Sequence, residues 1–435
     1  MRHILDGVYL FLLIVAAPFL FYKALTTGKY RRGLWDRFRG ACAFGLPLNG
    51  SRVWFHGVSV GEIHLLRTVV AAYRARHPDA ACVISATTDT GFDEARKWFP
   101  DLPVVRFPLD FSWAVERALR DLRPTQIILA ESELWPNFLL AAKRHDVPVV
   151  VINARMSPRS FRRWTRLRSL AKRLFGLVDH FAVQTPEYAE HLRRLGVSSE
   201  CLTVTGSVKY DGVLGDRRNP RTTAMRELLD ARPDDLVWIA GSTQAPEEEI
   251  VLSIFRKLRP DYPHLRLIVV PRQKERFEEV ATLLEHSGLP FVRRSRLAGP
   301  LADRKAVVLV DTFGELGALW GLADLAFVGG SLDGRRGGQN LIEPAAFGAA
   351  VLIGPHVWNF RDAVQRLLGA NAAVQVCNVA ELEVAMRRLL ADADERHRLG
   401  AAARGLVMSQ QGATERTLDV LDRFIPVATQ ASRAA

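Results

Sequence analysis

Several charged side chains in this chain stand immediately beyond apolar runs, where a strand hands its next residues to a ligand. The stretch WFHGVSVGEIHLL, Trp54 to Leu66, offers two readings at once. Gly57, Ser59 and Gly61 spell G-x-S-x-G, the turn that presents a nucleophilic serine in α/β hydrolases. Ser59 and Glu62 also spell S-x-x-E, a capping box opening a helix. The serine reading needs a central strand with others laid down upstream, and only one candidate strand precedes Ser59, which disfavours a hydrolase. Glu62 serves either as a cap or as a base: a helix N-terminus favours its ionised form, and that form accepts a proton.

Farther along, IILAESELWPN (Ile127–Asn137) runs an apolar strand into Glu131 and Glu133. Carboxylates so close to a buried strand are costly unless paired. The plainer reading is a surface loop with Pro136 in the first turn of a helix. VTGSVKYDG (Val204–Gly212) brings Lys209, which neutralises such a carboxylate or a substrate phosphate, or is simply solvated. In the second half, ADLAFVGGSLDGRRGGQNLIEPAAFG (Ala323–Gly348) carries a glycine-rich loop and then a helix expected to start near Asn340. Glycine-rich backbone at a helix N-terminus suits an anion, and Glu343 on the first turn suits ribose hydroxyls. VVPRQ adds Arg272, whose fork suits phosphate, and VDTFGEL adds Asp311 and Glu315. The phosphate fingerprints G-x-G-x-x-G and G-x-x-x-x-G-K-[ST] do not occur. Asp392-Ala-Asp394 reads as a helix cap, not a metal site, so a metal-independent reaction without a cofactor is expected.

Such residues need a scaffold. A chain of 435 residues, 48% hydrophobic and 24% charged, is globular and long enough for about two domains. Short apolar runs alternate with amphipathic segments: Arg52–Phe55, Ala81–Ser85, Thr125–Ala130, Val147–Ile152 and His180–Val183 in the first half. The rhythm restarts with Val237–Ala240, Leu265–Val270, Ala306–Val310, Leu325–Val328 and Val351–Ile353, after a polar linker at Leu214–Thr223. This predicts an α/β fold of two parallel-sheet domains, residues 25–213 and 224–425, with ligands at the carboxyl ends of the strands. Cys42, Cys82, Cys201 and Cys377 are scattered, which predicts free thiols and a reducing compartment.

The excess of 59 basic over 47 acidic side chains, +12, calls for an anionic partner. Gly7–Tyr22 is an uncharged apolar run of sixteen residues followed by Lys23, Lys29, Arg31, Arg32, Arg37 and Arg39. That pattern predicts an uncleaved membrane anchor or interfacial helix over residues 1–24, with the body of the protein kept in the cytoplasm. Arg155–Gly176 mixes eight basic residues with Phe161 and Trp164, a composition that suits an anionic membrane or RNA; an anchor in the same domain favours lipid over nucleic acid.

Taken in order, HGVSVGE, ESELWPN, NAR, TGSVKYD, VPR, DTFGEL and FVGGS…GGQN…EP resemble the motifs of the Kdo (3-deoxy-D-manno-octulosonic acid) transferases, from the anchor to about Arg423. The resemblance implies a GT-B-type fold of two Rossmann-like domains facing across a cleft. It also implies inverting transfer of Kdo from CMP-Kdo to a lipid A precursor at the cytoplasmic face of the inner membrane. Glu62 then matches the general base, and Glu131 and Lys209 match positions that stabilise the transition state. The CMP site matches Pro271, Arg272, Phe313, Gly314, Glu315, Asn340, Leu341, Ile342 and Glu343. One departure stands out: the family often reads G-G-H-N-P where this chain has Gly337-Gly338-Gln339-Asn340-Leu341. The competing readings are another sugar-nucleotide transferase on the same scaffold, a membrane-docked RNA-binding protein, and the serine hydrolase.

Overall fold

Runs of apolar residues without alternation form strands buried on both faces, which is the habit of parallel sheets covered by helices. The computed structural model describes residues 2–27, 33–40, 50–131 and 133–425. The side chain of Lys23, with Lys29, Arg31, Arg32 and Cys42, lies outside the described residues; Cys82, Cys201 and Cys377 are free thiols. The chain divides into two compact units, Met1–Gly212 with Gln411–Ala435, and Val213–Gln410.

The first unit holds β1 (Arg52–Gly57), β2 (Ala81–Ala86), β3 (Val104–Arg106), β4 (Gln126–Ala130), β5 (Val149–Ala154), β6 (His180–Val183) and β7 (Leu202–Val204). All pair in parallel, in the order β3-β2-β1-β4-β5-β6-β7. The strand order reverses between β1 and β4, and the crevice at their carboxyl ends is where such sheets bind ligands. The second unit repeats the plan with β8 (Leu236–Thr243), β9 (Leu265–Pro271), β10 (Phe291–Arg293), β11 (Val307–Leu309), β12 (Leu325–Val328), β13 (Ala350–Ile353) and β14 (Val374–Gln375). Its order is β10-β11-β9-β8-β12-β13-β14, again parallel, with the reversal between β8 and β12. The strands without a counterpart in the sequence reading, β3, β7, β10 and β14, are the outer edges of the two sheets, two or three residues each. Edges are kept short and half-covered in natural sheets, so they lack a legible apolar run.

Residues 411–425 depart from the predicted boundary, because the final helix, Ala413–Asp422, belongs to the first unit. Leu418, Val420 and Leu421 join the buried cluster of Val53, Phe55 and Ile84. Arg76 pairs with Glu415, Asp419 and Asp422, and Gln126 donates to the Leu421 carbonyl at 2.9 Å. Asp211 accepts from the Gly412 and Thr414 N–H groups and so caps the helix.

At the other terminus, the Arg2–Thr27 helix is turned partly inward. Asp6 is buried and accepts from the Ser112 N–H and the Asn137 amide, and Tyr9 donates to Asp110 at 2.9 Å. Phe11, Leu12, Ile14, Val15 and Phe19 on the same helix are exposed. Among the described residues no helix is long and apolar enough to cross a membrane. The uncharged run is too short, and Asp6 at its start is committed to the protein.

The basic segment also differs from one amphipathic helix: it forms two, Pro158–Thr165 and Arg168–Phe175. Phe161, Trp164 and Phe175 pack on the core, while Leu167 and Leu170 stay exposed.

Leu421 has no exposed surface. Leu421→Ala is expected to destabilise the protein by ~2–5 kcal/mol in urea unfolding. Val384→Ala, at an exposed position, should change it by less than ~0.5 kcal/mol. Equal, small effects would show that the C-terminal helix is not part of the first unit's core.

Candidate active site

The carboxyl ends of β1 and β4 carry the first cluster. Ser59 caps the helix Val60–Arg76, and Glu62 occupies its third position. The two do not form the expected capping box. The Ser59 hydroxyl donates to Glu62 Oε1 at 3.2 Å instead of accepting from the helix, and Glu62 Oε2 accepts from the Val58 N–H at 2.7 Å. The helix N-terminus was expected to keep Glu62 ionised. Burial overrides it: loss of water lifts the carboxyl to about 7, the Glu131 and Glu133 charges add to the rise, and the Val58 and Ser59 hydrogen bonds oppose it. A carboxyl poised there can take a proton near neutral pH.

Because a doubly wound sheet builds outward from its first strand, β1 is central, and Ser59 does follow a central strand, contrary to the expectation from chain order. Local geometry removes the nucleophile reading. Ser59 has φ −120° and ψ 168°, ordinary extended backbone, where the nucleophile turn is strained. The nearest histidine in sequence, His56, is fully buried and stacked 3.8 Å from the Phe107 ring, with Nδ1 at 2.9 Å from Ser85 Oγ. Burial lowers its pKa to about 3, so it is neutral and committed elsewhere.

Glu131 follows β4 with φ +59°, a left-handed conformation rare outside glycine. Its N–H donates to the Ile152 carbonyl at 2.9 Å, and its Oε1 accepts from Lys209 Nζ at 3.2 Å. Lys209 sits on the 3₁₀ turn Val208–Tyr210. That turn is held by Asn153, which has no exposed surface, a φ of +53°, and Oδ1 accepting from the Val208 N–H at 3.2 Å. Asn153 belongs to the NAR motif but carried no role in the sequence reading; strained backbone at two adjacent strand ends is the signature of a functional site. Glu133 accepts from the Trp135 indole at 3.0 Å, and Pro136 opens the helix Pro136–Arg144 as anticipated.

In the second unit, Pro271 ends β9 and the Arg272 N–H donates to the Thr243 carbonyl at 3.0 Å. Arg272 Nε donates to Gln339 Oε1 at 3.3 Å. Glutamine where the family often has histidine therefore orients the arginine. The glycine-rich loop leaves β12 at the topological switch. A Cβ on Gly329 would lie 2.6 Å from Thr243 Cα, so only glycine allows that approach. The loop's N–H groups are less available than expected. Buried Glu247 accepts from Gly330 at 2.6 Å, Ser331 at 2.9 Å, Leu332 at 3.1 Å and Gln244 at 3.0 Å. Burial pushes the Glu247 carboxyl up, against those four donors.

The helix expected near Asn340 is five residues, Ile342–Ala346, and the Ile342 N–H is taken by Asn340 Oδ1 at 3.0 Å. So short a helix has little dipole to offer an anion. Leu341 and Ile342 are buried, side chain and backbone alike. Asn340 donates to Glu343 at 2.8 Å. Beyond β11, Phe313 is 65% exposed beside the Phe277 ring, Gly314 has φ +81°, and Glu315 is held by Arg294 at 2.7 Å and by Thr312. Asp311 is bound instead by Ser295 and Arg293. Among the described residues no cluster of three or more His, Cys, Asp or Glu could hold a metal ion. Asp392 caps the helix Ala393–Ser409.

Two parallel α/β units of this kind make a GT-B-like scaffold. UDP-GlcNAc 2-epimerase from Neisseria meningitidis shares it with a TM-score of 0.58 at 12% identity, covering 86% of this chain and 100% of its own. The family model described as 3-deoxy-D-manno-octulosonic-acid transferase (kdotransferase) matches residues 30–212. The 3-deoxy-D-manno-octulosonic acid transferase of Haemophilus influenzae is 32% identical over 96% of this chain and 98% of its own. That of Bordetella pertussis is 32% identical over 96% and 99%. The chain belongs to the 3-deoxy-D-manno-octulosonic acid transferase family.

Because the folded protein holds the Glu62 proton more tightly than the unfolded chain, this group costs stability as pH rises from 4.5 toward about 7, and the cost persists above that. Glu62→Gln, which keeps an oxygen for the Val58 N–H, should melt higher than the wild type at pH 8. The gap should close toward pH 4.5. A gap independent of pH would mean that Glu62 is not desolvated.

Proposed function

We propose that this chain transfers Kdo, with inversion, from CMP-Kdo to a lipid A precursor (lipid IVA), without metal or cofactor. The reaction would run at the cytoplasmic face of the inner membrane. The observation that carries the reading is the Glu62 carboxyl, lifted to about 7 at the carboxyl end of the central strand of the first unit. Glu62 takes the proton of an acceptor hydroxyl as that oxygen attacks the anomeric carbon of Kdo. The carbon–oxygen bond to the phosphate breaks, and CMP leaves as an anion that needs no strong acid. This is the base half of inverting glycosidase chemistry, with an alcohol in place of water.

Arg272, oriented by Gln339, meets the phosphate. With the Gly330, Ser331 and Leu332 N–H groups taken by Glu247, the arginine carries more of this work than the loop. Phe313, Gly314, Glu315, Asn340 and Glu343 line the nucleotide, with Pro271, Leu341 and Ile342 buried beneath them. Lys209, drawn to Glu131, offsets charge on the Kdo carboxylate or the phosphate. The exposed apolar face of the first helix supports an interfacial membrane contact, as do exposed Trp35 and Trp113; the cations of Arg155–Gly176 suit anionic lipid more than RNA.

Mass spectrometry of lipid IVA incubated with the protein and fresh CMP-Kdo tests the reaction, and thermal shifts with a panel of CMP- and UDP-sugars test the donor. Glu62→Ala should lose about 10²–10⁴-fold in turnover while still binding donor, and Ser59→Ala should be mild. Wild-type kcat/KM should rise through an apparent pKa near 7 set by the half-buried Glu62 carboxyl. A Ser59-dependent, Glu62-independent activity would overturn the assignment.

A further inference from the structure

The second unit has another concave site, at the opposite end of its sheet from the glycine-rich loop. Asp324 immediately precedes β12 and Gly348 lies just before β13, so the cavity they line opens at the amino ends of the strands. At about 3.3 Å per residue, the length of β12 separates it from the loop by roughly 13 Å. Its volume is about 560 Å³, within the usual ~300–1,000 Å³ of small-molecule sites.

Four arginines, Arg217, Arg218, Arg396 and Arg404, and His397 line this space together with Asp216 and Asp324. Two of the arginines are structural. Arg217 donates to the Phe347 and Ala323 carbonyls, both at 2.7 Å, and Arg396 donates to the carbonyls of Leu389 and Leu390. The carboxylates are occupied as well: Asp324 accepts from the Val237 N–H and Asp216 from the Arg218 N–H, each at 2.8 Å. Among the described residues, the side chains of Arg218, Arg404 and His397 have no hydrogen bond or ion pair. Arg396, Gly400 and Arg404 recur every four residues on the helix Ala393–Ser409, which puts both arginines on one face. A Cβ at Gly400 would lie 2.1 Å from the Gly348 carbonyl, so that face is seated directly on the turn before β13. Like charges gathered with too few carboxylates repel one another, and a bound anion with several oxygens relieves that.

We propose that this cavity binds a small molecule through a phosphate or diphosphate group gripped by Arg218, Arg404 and His397. Gly215 to Arg218 are among the first residues of the second unit after the boundary at Val213; an occupant ties that stretch to the body of the unit.

Isothermal titration of the full chain with inorganic diphosphate tests this, comparing wild type, Arg218→Ala/Arg404→Ala and Arg272→Ala. Loss of two charge-assisted contacts should weaken binding at least tenfold in the double variant. Arg272→Ala should leave one diphosphate event unchanged, which separates this cavity from the proposed nucleotide site. If the double variant folds poorly, His397→Ala serves in its place, with a smaller loss in the same direction. Phosphatidylglycerol vesicles form a second arm. Vesicle binding that depends on Arg218 and Arg404, without a diphosphate event, would assign the phosphate to a lipid headgroup. Diphosphate binding abolished by Arg272→Ala and intact in the double variant overturns the proposal, as does no diphosphate event together with vesicle binding insensitive to the pair.

Discussion

A carboxyl group held away from water without a cation of its own keeps its proton to unusually high pH, and the first unit is arranged around that condition at Glu62. Lys209 lies in the same cluster, and a direct pair with Glu62 would return the acid to its ordinary range. It is drawn off to Glu131 instead. Glu131 and Asn153 hold left-handed backbone at the ends of neighbouring strands, a cost that the buried sheet beneath them sustains. The strained backbone, the ion pair and the raised pKa meet at Glu131, whose charge adds to the rise at Glu62 while its carboxylate holds the lysine.

The second unit solves a different problem, how to hold a loop rich in glycine in one shape. Flexible backbone loses more entropy on ordering than any other. Glu247 reaches across the sheet end from its helix and collects N–H groups from the loop and from the turn after β8. That makes the loop rigid and consumes donors that would otherwise meet an anion. Gln339 and Arg272 form a further polar pair at this end of the sheet.

Legibility in the sequence followed burial. Central strands read clearly because apolar runs such as IILA and VVVI are buried on both faces, and Glu62, Glu131 and Arg272 stand past the ends of such strands. Edge strands of two or three residues carried no such run. The role of Glu247 is not legible because three of its four donors lie more than eighty residues away; the sequence offers only three acids in a first helical turn, a common capping pattern. The ionisation of Glu62 is not legible in the sequence because a helix N-terminus is a local feature and desolvation is a tertiary one. The basic segment read as one amphipathic face, yet Phe161 and Trp164 are turned to the core.

The return of the last helix to the first unit also bears on how the molecule is made. Val53, Phe55 and Ile84 acquire part of their covering only when Leu418, Val420 and Leu421 arrive, more than three hundred residues later in translation. A nascent chain leaving the ribosome can complete the second unit before the first, and the first must wait with an apolar stripe uncovered. An N-terminal fragment ended at Gly212, the limit of the family match, would retain the Glu62 cluster but keep that stripe open to aggregation.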